Sequence, residues 1–190
     1  MQTEDTKLIL VTQNEHKLRE LRPLFEEFGV DFETTNLSKL EIRSNDVERV
    51  ALEAAKVAYY ESKTRVVLDD TGLYIDALDG FPMSYAAFVL KTLGRKGILK
   101  LLDGVKDRKA RFVTAVGFSD GETLATFKGI MEGSIADDEA GKEGFGYDPI
   151  FIPEGETRTY AQLSFEEKIA ISHRSKAFRS FLEWYTSEFK

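Results

Sequence analysis

Apolar positions along the chain follow two periods, one of strands and one of helices. Lys7 to Thr12 (KLILVT) is a short apolar run that predicts a buried strand. Leu18, Leu21, Leu24, Phe25 and Phe28 then recur at helical spacing, with Asn14 as N-cap and Gly29 as the residue that ends the helix. Val30 to Thr34 reads as a second strand. Asp46 caps a second helix running to Ser62, whose face of Val47, Val50, Ala51, Ala54, Ala55 and Ala58 predicts close packing against a sheet. Val66 to Leu68 reads as a core strand, and Leu73, Ile75, Ala77 and Leu78 as a following strand or tight turn-strand. Tyr85–Leu93 and Gly97–Leu102 form two short helices broken around Gly94. Ala110, Phe112, Thr114, Val116 and Phe118 share one face of a long strand, Lys109 to Phe118. Asp120-Gly121 suits a type I′ hairpin, from which Thr123 to Ile135 returns. Gly129 and Gly133 in the returning strand mark bulges or close approaches. A last helix capped by Ser172 carries Ala177, Phe178, Phe181, Leu182 and Tyr185 on one side.

Composition narrows the classes. The 190 residues suffice for a sizeable core, and a hydrophobic fraction of 42% is that of a globular protein. The formal net charge of −7 argues against binding nucleic acid through a broad basic surface, while leaving room for a small anion in one cleft. With no cysteine, disulfides and thiolate metal sites are excluded. The polar N-terminus lacks a signal peptide's apolar core, and no run reaches the roughly 18 apolar residues of a membrane span. A cytoplasmic protein with no membrane partner is expected.

Candidate chemistry gathers in four places. The apolar run Val66–Leu68 ends in adjacent acids, Asp69 and Asp70, followed by Thr71 and Gly72. On an extended backbone the two acids point to opposite faces and so take different jobs; alternatively, Asp-Thr-Gly is only a turn with an Asx hydrogen bond. Lys17 falls in the first turn of a helix, where a cation is disfavoured unless an anion sits between it and the free N–H groups; a solvated surface lysine is the bland alternative. His173 and Arg174 repeat the pattern at the last helix, which suggests that both helix starts face a shared anion. Phe145-Gly146-Tyr147-Asp148 presents two aromatics around a glycine, either plugs of a surface loop or a platform for a planar base.

Together these segments resemble the inosine triphosphate pyrophosphatase family. Thr12-Gln13-Asn14-Glu15-His16-Lys17 is similar to its T-x-N-x-x-K signature. Asp69-Asp70-Thr71-Gly72-Leu73 with Gly80-Phe81-Pro82 resembles its central acid motif, Phe145 to Phe151 its base-site motif, and Lys168 with Ser172-His173-Arg174 its C-terminal motif. The resemblance spans Lys7 to about Tyr185. It implies an α/β/α fold with a long twisted mixed sheet and two lobes around a cleft, residues 1–190 forming one domain. It also implies a homodimer, a Mg²⁺ requirement, and hydrolysis of ITP, dITP and XTP to the monophosphate and pyrophosphate. By resemblance, Asp70 activates water and binds metal, with Glu41 as second ligand. Thr12, Gln13, Asn14, Lys17, Thr71 and Lys168 belong to the substrate site, with Lys17, the Asn14 region and Lys168 holding the triphosphate. Phe145, Gly146, Tyr147, Asp148, His173 and Arg174 surround the base.

Four positions depart from the family pattern. Met83 stands where glycine is common, Ala86 where serine is, Ala87 where a basic or aromatic residue is, and Arg43 where glutamine is. Two alternatives follow: a related pyrophosphatase for other modified nucleotides, or a nucleotide-binding module without catalysis.

Overall fold

A computed structural model describes residues 7–35, 37 and 42–189. Its centre is a mixed sheet in the order β2 (Phe32–Thr34), β1 (Leu8–Leu10), β3 (Val66–Ile75), β5 (Lys109–Ser119), β6 (Leu124–Ile135) and β7 (Phe151–Pro153), with β4 (Pro82–Met83) also paired to β3. The pairs β2–β1 and β1–β3 are parallel; β3–β5, β5–β6, β6–β7 and β3–β4 are antiparallel.

Helices cover both faces. On one, α1 (Glu15–Phe28) and α6 (His173–Phe189) pack with Leu8, Leu10, Val67 and Phe118 into an apolar cluster. On the other, the alanine stripe of α2 (Val47–Ser62) meets Val66, Leu68, Val113 and Ala115. The predicted close packing has a concrete cause. A Cβ on Gly117 would lie 2.3 Å from the Ala51 carbonyl oxygen, so bare backbone in β5 lets α2 settle onto the sheet. A third cluster joins the far ends of β3, β5 and β6 to α3 (Ala86–Thr92), α4 (Gly94–Leu101) and the segment around Phe151 and Tyr160. The short α5 (Phe165–Ile171) precedes α6. No helix among the described residues is long and apolar enough to cross a membrane.

Local signals place the helix ends well. Asn14 Oδ1 accepts from the backbone N–H groups of His16 and Lys17, Gly29 closes α1 at φ 59°, and Asp46 caps α2. The structure differs at β3. This is one ten-residue strand that runs through Asp69, Asp70, Thr71 and Gly72, not two runs parted by a turn. Every residue from Val66 to Ile75 has a partner in β5, from Ser119 back to Ala110, and that continuous ladder overrides the turn chemistry of Asp-Thr-Gly. Ala77 and Leu78, read as part of a following strand or tight turn-strand, lie in a 3₁₀ turn, Asp76–Leu78. The hairpin differs too: Ser119 pairs with Leu124, leaving a four-residue loop in which Asp120 Oδ1 accepts from Glu122 and Thr123. Only Gly121 there has positive φ, so the two-residue type I′ turn is not formed. Gly129 and Gly133 prove to be close approaches, in a strand whose pairing with β5 runs one-to-one throughout.

Candidate active site

The sheet edge beside β3 has a gap. β1 pairs with Val66 and Val67, β4 pairs with Leu73 and Tyr74, and the acids lie between. The carboxyl end of parallel strand β1 thus opens beside Asp69 and Asp70, a place where α/β sheets commonly offer a crevice. A cavity of about 610 Å³ lies there, lined in part by Asn14, Lys17, Asp70, Thr71, Phe145 and Lys168.

Strand alternation divides the two acids as expected. Val67, Asp69 and Thr71 face α1 and α6; Leu68 and Asp70 face the side of α2. Asp69 Oδ2 lies 2.7 Å from Lys17 Nζ and 3.4 Å from Arg174 Nε, and the Thr71 hydroxyl donates to it at 3.4 Å. The anion shared by the starts of α1 and α6 is therefore a carboxylate of the protein itself. Asp70 is buried and borders the cavity.

Behind Asp69 lies a buried ionic cluster. Glu20, on α1, accepts from Lys168 Nζ at 2.6 Å and from Arg174 Nη1 at 2.5 Å. Lys168 also reaches Asp148 Oδ2 at 2.6 Å, and the same oxygen accepts the Phe145 N–H at 2.7 Å. Burial opposes the charge on Glu20, but Arg174 and Lys168 outweigh it and hold its pKa below the ordinary value. For Asp148 burial wins, and its pKa is raised despite Lys168.

His173 is not a cation at the start of α6. Burial, reinforced by Arg174 and Lys168, drives its pKa well below the usual 6.5. Its Nδ1 lies 2.7 Å from Thr114 Oγ1, which lies 2.7 Å from Thr71 Oγ1, so a hydroxyl chain links the neutral imidazole to Asp69. Phe112 stacks on its other side, centroids 4.6 Å apart.

The aromatic pair also divides. Phe145 is half-buried and borders the cavity; His16 stacks on it at 5.1 Å, and Lys168 and Arg174 lie over its ring at 4.9 and 5.4 Å. Tyr147 is buried, and its hydroxyl donates to the Ala86 carbonyl at 2.9 Å. It is therefore not exposed as the aromatic pair was expected to be: it packs in the apolar cluster beside Ala86 and Ile150 while still bordering the cavity. Gly146, Asp148, His173 and Arg174 also border the cavity. Thr12 and Gln13 are not among the described lining residues; the Thr12 hydroxyl instead accepts the Asn14 N–H at 3.2 Å. Glu41 lies outside the described residues.

Two members of the constellation were missed in the sequence, each with a signal. Glu20 is an acid three residues from Lys17 and four from Leu24, hence on the inward stripe of α1. Thr114 is the polar member of the inward-facing series Phe112, Thr114, Val116. The departures also acquire structure. Met83 adopts φ 55°, a left-handed conformation that glycine enters without strain. Ala86, Ala87 and Arg43 all border the cavity.

The model of the Ham1 family matches residues 8–184. The chain is 46% identical to a Saccharolobus solfataricus protein named dITP/XTP pyrophosphatase, over 181 residues covering 95% of this chain and 94% of that one. It is 44% identical to a protein of the same name from Methanopyrus kandleri, covering 94% and 96%. The solved HAM1 protein of Coxiella burnetii superposes with a TM-score of 0.84 at 29% identity, covering 95% of this chain and 98% of its own. With the family model matched over residues 8–184 and near full-length relatives at 44–46% identity, the chain belongs to the Ham1 family.

Proposed function

We propose that this protein hydrolyses dITP, ITP and XTP to the nucleoside monophosphate and pyrophosphate. The observation that carries the reading is one cavity bordered by the Asp70 carboxylate, by the cations Lys17, Lys168 and Arg174, and by the half-buried ring of Phe145. A purine fits against Phe145, and its phosphates run toward Lys17 and the start of α1, where the helix dipole favours anions. Asp70 accepts a proton from the water that attacks the α-phosphorus. Asp69, engaged by Lys17 and Arg174, positions those cations.

The described residues fit a Mg²⁺ ion in part. No group of three potential His, Cys, Asp or Glu ligands assembles among them, but Asp70 offers a hard oxygen, and Mg²⁺ usually takes one or two carboxylates plus phosphate and water. A triphosphate adds negative charge to a cluster in which Lys17, Lys168 and Arg174 already face Asp69, Glu20 and Asp148. Mg²⁺ held by Asp70, with Glu41 as second ligand by resemblance, supplies the counter-charge when bound. The reading includes the cytoplasmic location expected from the sequence and the homodimer that the family resemblance implies.

Preference for a 6-oxo purine requires a hydrogen-bond donor at the base edge. Arg174 already faces Glu20 and Asp69, and Nδ1 of the neutral His173 faces Thr114. In the Phe145–Asp148 turn the Phe145 N–H donates to Asp148 Oδ2 and the Asp148 N–H to the Phe145 carbonyl, so the N–H groups of Gly146 and Tyr147 are the better-suited donors.

Pyrophosphate release across ITP, dITP, XTP, dATP, dGTP, dTTP and methylated nucleotides, with and without Mg²⁺, tests the reading. The 6-oxo substrates are expected to turn over at least about 100-fold faster than dATP, the scale on which an unmatched buried donor discriminates. Equal turnover of dITP, XTP, dATP and dGTP defeats the reading. Binding without pyrophosphate release identifies the non-catalytic alternative.

A further inference from the structure

We infer that Arg95, on α4 and outside the cavity lining, is a positioning residue that sets which hydrogen-bonding group the Gly146–Tyr147 peptide shows to the base; this deepens the proposed function and rests on it. Arg95 Nη1 donates to the Gly146 carbonyl oxygen at 3.1 Å while its Nε donates to Glu139 Oε2 at 2.9 Å. The guanidinium is thus held by a carboxylate behind the wall and grips the wall's backbone from outside.

Planarity carries the effect across the wall. In a trans peptide the C=O and the following N–H point in opposite directions. A Gly146 carbonyl drawn outward to Arg95 turns the Tyr147 N–H the other way, toward the cavity that Gly146 and Tyr147 line. The flanking residues are pinned independently, Phe145 through its N–H to Asp148 and Tyr147 through its hydroxyl to Ala86. What remains rotatable between them is this one peptide. A flip of that peptide rotates ψ of Gly146, which has no side chain to resist it, and moves φ of Tyr147 away from −95°. A flip would aim a carbonyl acceptor into the cavity, which suits the 6-amino group of adenine and repels a 6-oxo group. Arg95 supplies the charge-assisted bond that holds the donor orientation.

The test compares wild type, Arg95→Ala and Arg95→Lys. Calorimetry gives the Kd of IMP and AMP, kinetics gives kcat and KM for dITP and dATP, and thermal unfolding is followed for each variant. Arg95→Ala is expected to weaken IMP and raise the dITP KM about tenfold, to narrow the IMP/AMP affinity ratio by the same factor, and to leave kcat within about twofold. Arg95→Lys, which keeps a donor, is expected to recover part of the ratio. An unchanged IMP/AMP ratio in Arg95→Ala overturns the inference. So does an equal loss for IMP and AMP accompanied by a lower Tm, the mark of a merely structural residue, and so does a wild type with no preference for IMP. A wild type that prefers IMP but releases no pyrophosphate from dITP defeats the proposed reaction alone, and the affinity ratio still decides on Arg95.

Discussion

Glu20 and Lys168, 148 positions apart in the chain, meet at 2.6 Å with side chains only about 6% exposed. A buried pair of this kind is weak evidence of net stabilisation, but removing one partner strands the other. Glu20→Gln leaves Lys168 and Arg174 short of one carboxylate. The expected loss is about 3 kcal/mol, or a Tm lower by roughly 10 °C for a chain of this size. Calorimetric unfolding at pH 7 measures it. The pKa of Glu20 is depressed, so its contribution is present above the ordinary 4.5 and lost as pH falls through its folded pKa. Stability of the variant should therefore depend less on pH in that acid range.

His173 titrates in the opposite sense to a paired histidine. Its folded pKa lies well below 6.5 because it is buried neutral, so below pH 6.5 the unfolded chain takes up a proton that the folded protein refuses. Stability is expected to fall with decreasing pH below 6.5 by up to about 1.4 kcal/mol per pH unit from this group. Denaturant unfolding from pH 7.5 to 5 should show a shallower slope in His173→Gln than in wild type. Equal slopes would show that His173 takes up its proton alike in the folded and unfolded states, against a depressed folded pKa.

The two acids of β3 should separate kinetically. Asp70→Asn keeps shape but loses the proton acceptor, and kcat for dITP is expected to fall by about two orders of magnitude or more with little change in Tm. Asp69→Asn loosens Lys17 and Arg174, so it should raise KM and lower Tm. The reverse pattern would transfer the base role to Asp69.

Gly129 links packing to the site. A methyl group there would lie 2.1 Å from the His173 carbonyl oxygen and 2.5 Å from the Ala177 nitrogen. Gly129→Ala must push the start of α6 off the sheet, carrying His173 and Arg174 with it. The expected cost is about 2 kcal/mol, the usual scale of overpacking, together with reduced dITP turnover at temperatures where the protein stays folded. Melting curves and initial rates on the same preparation check both.

Sequence by itself determined the features whose energetics are local. Asn14, Gly29 and Asp46 set helix ends because caps bond to backbone within four residues. The stripes of α2 and α6 and the alternation of β5 marked buried faces, and the opposed directions of Asp69 and Asp70 followed from extended backbone alone. Tertiary structure decided what depends on distant partners. β3 stays extended through Asp-Thr-Gly because β5 supplies a complete ladder. Tyr147 is buried because Ala86 accepts its hydroxyl, and Glu20 becomes an internal counter-ion because α5 and α6 bring Lys168 and Arg174 to it. Two cations at helix starts foretold an anion. That Asp69 is the one they share needed β3 between α1 and α6, an arrangement that no local period encodes.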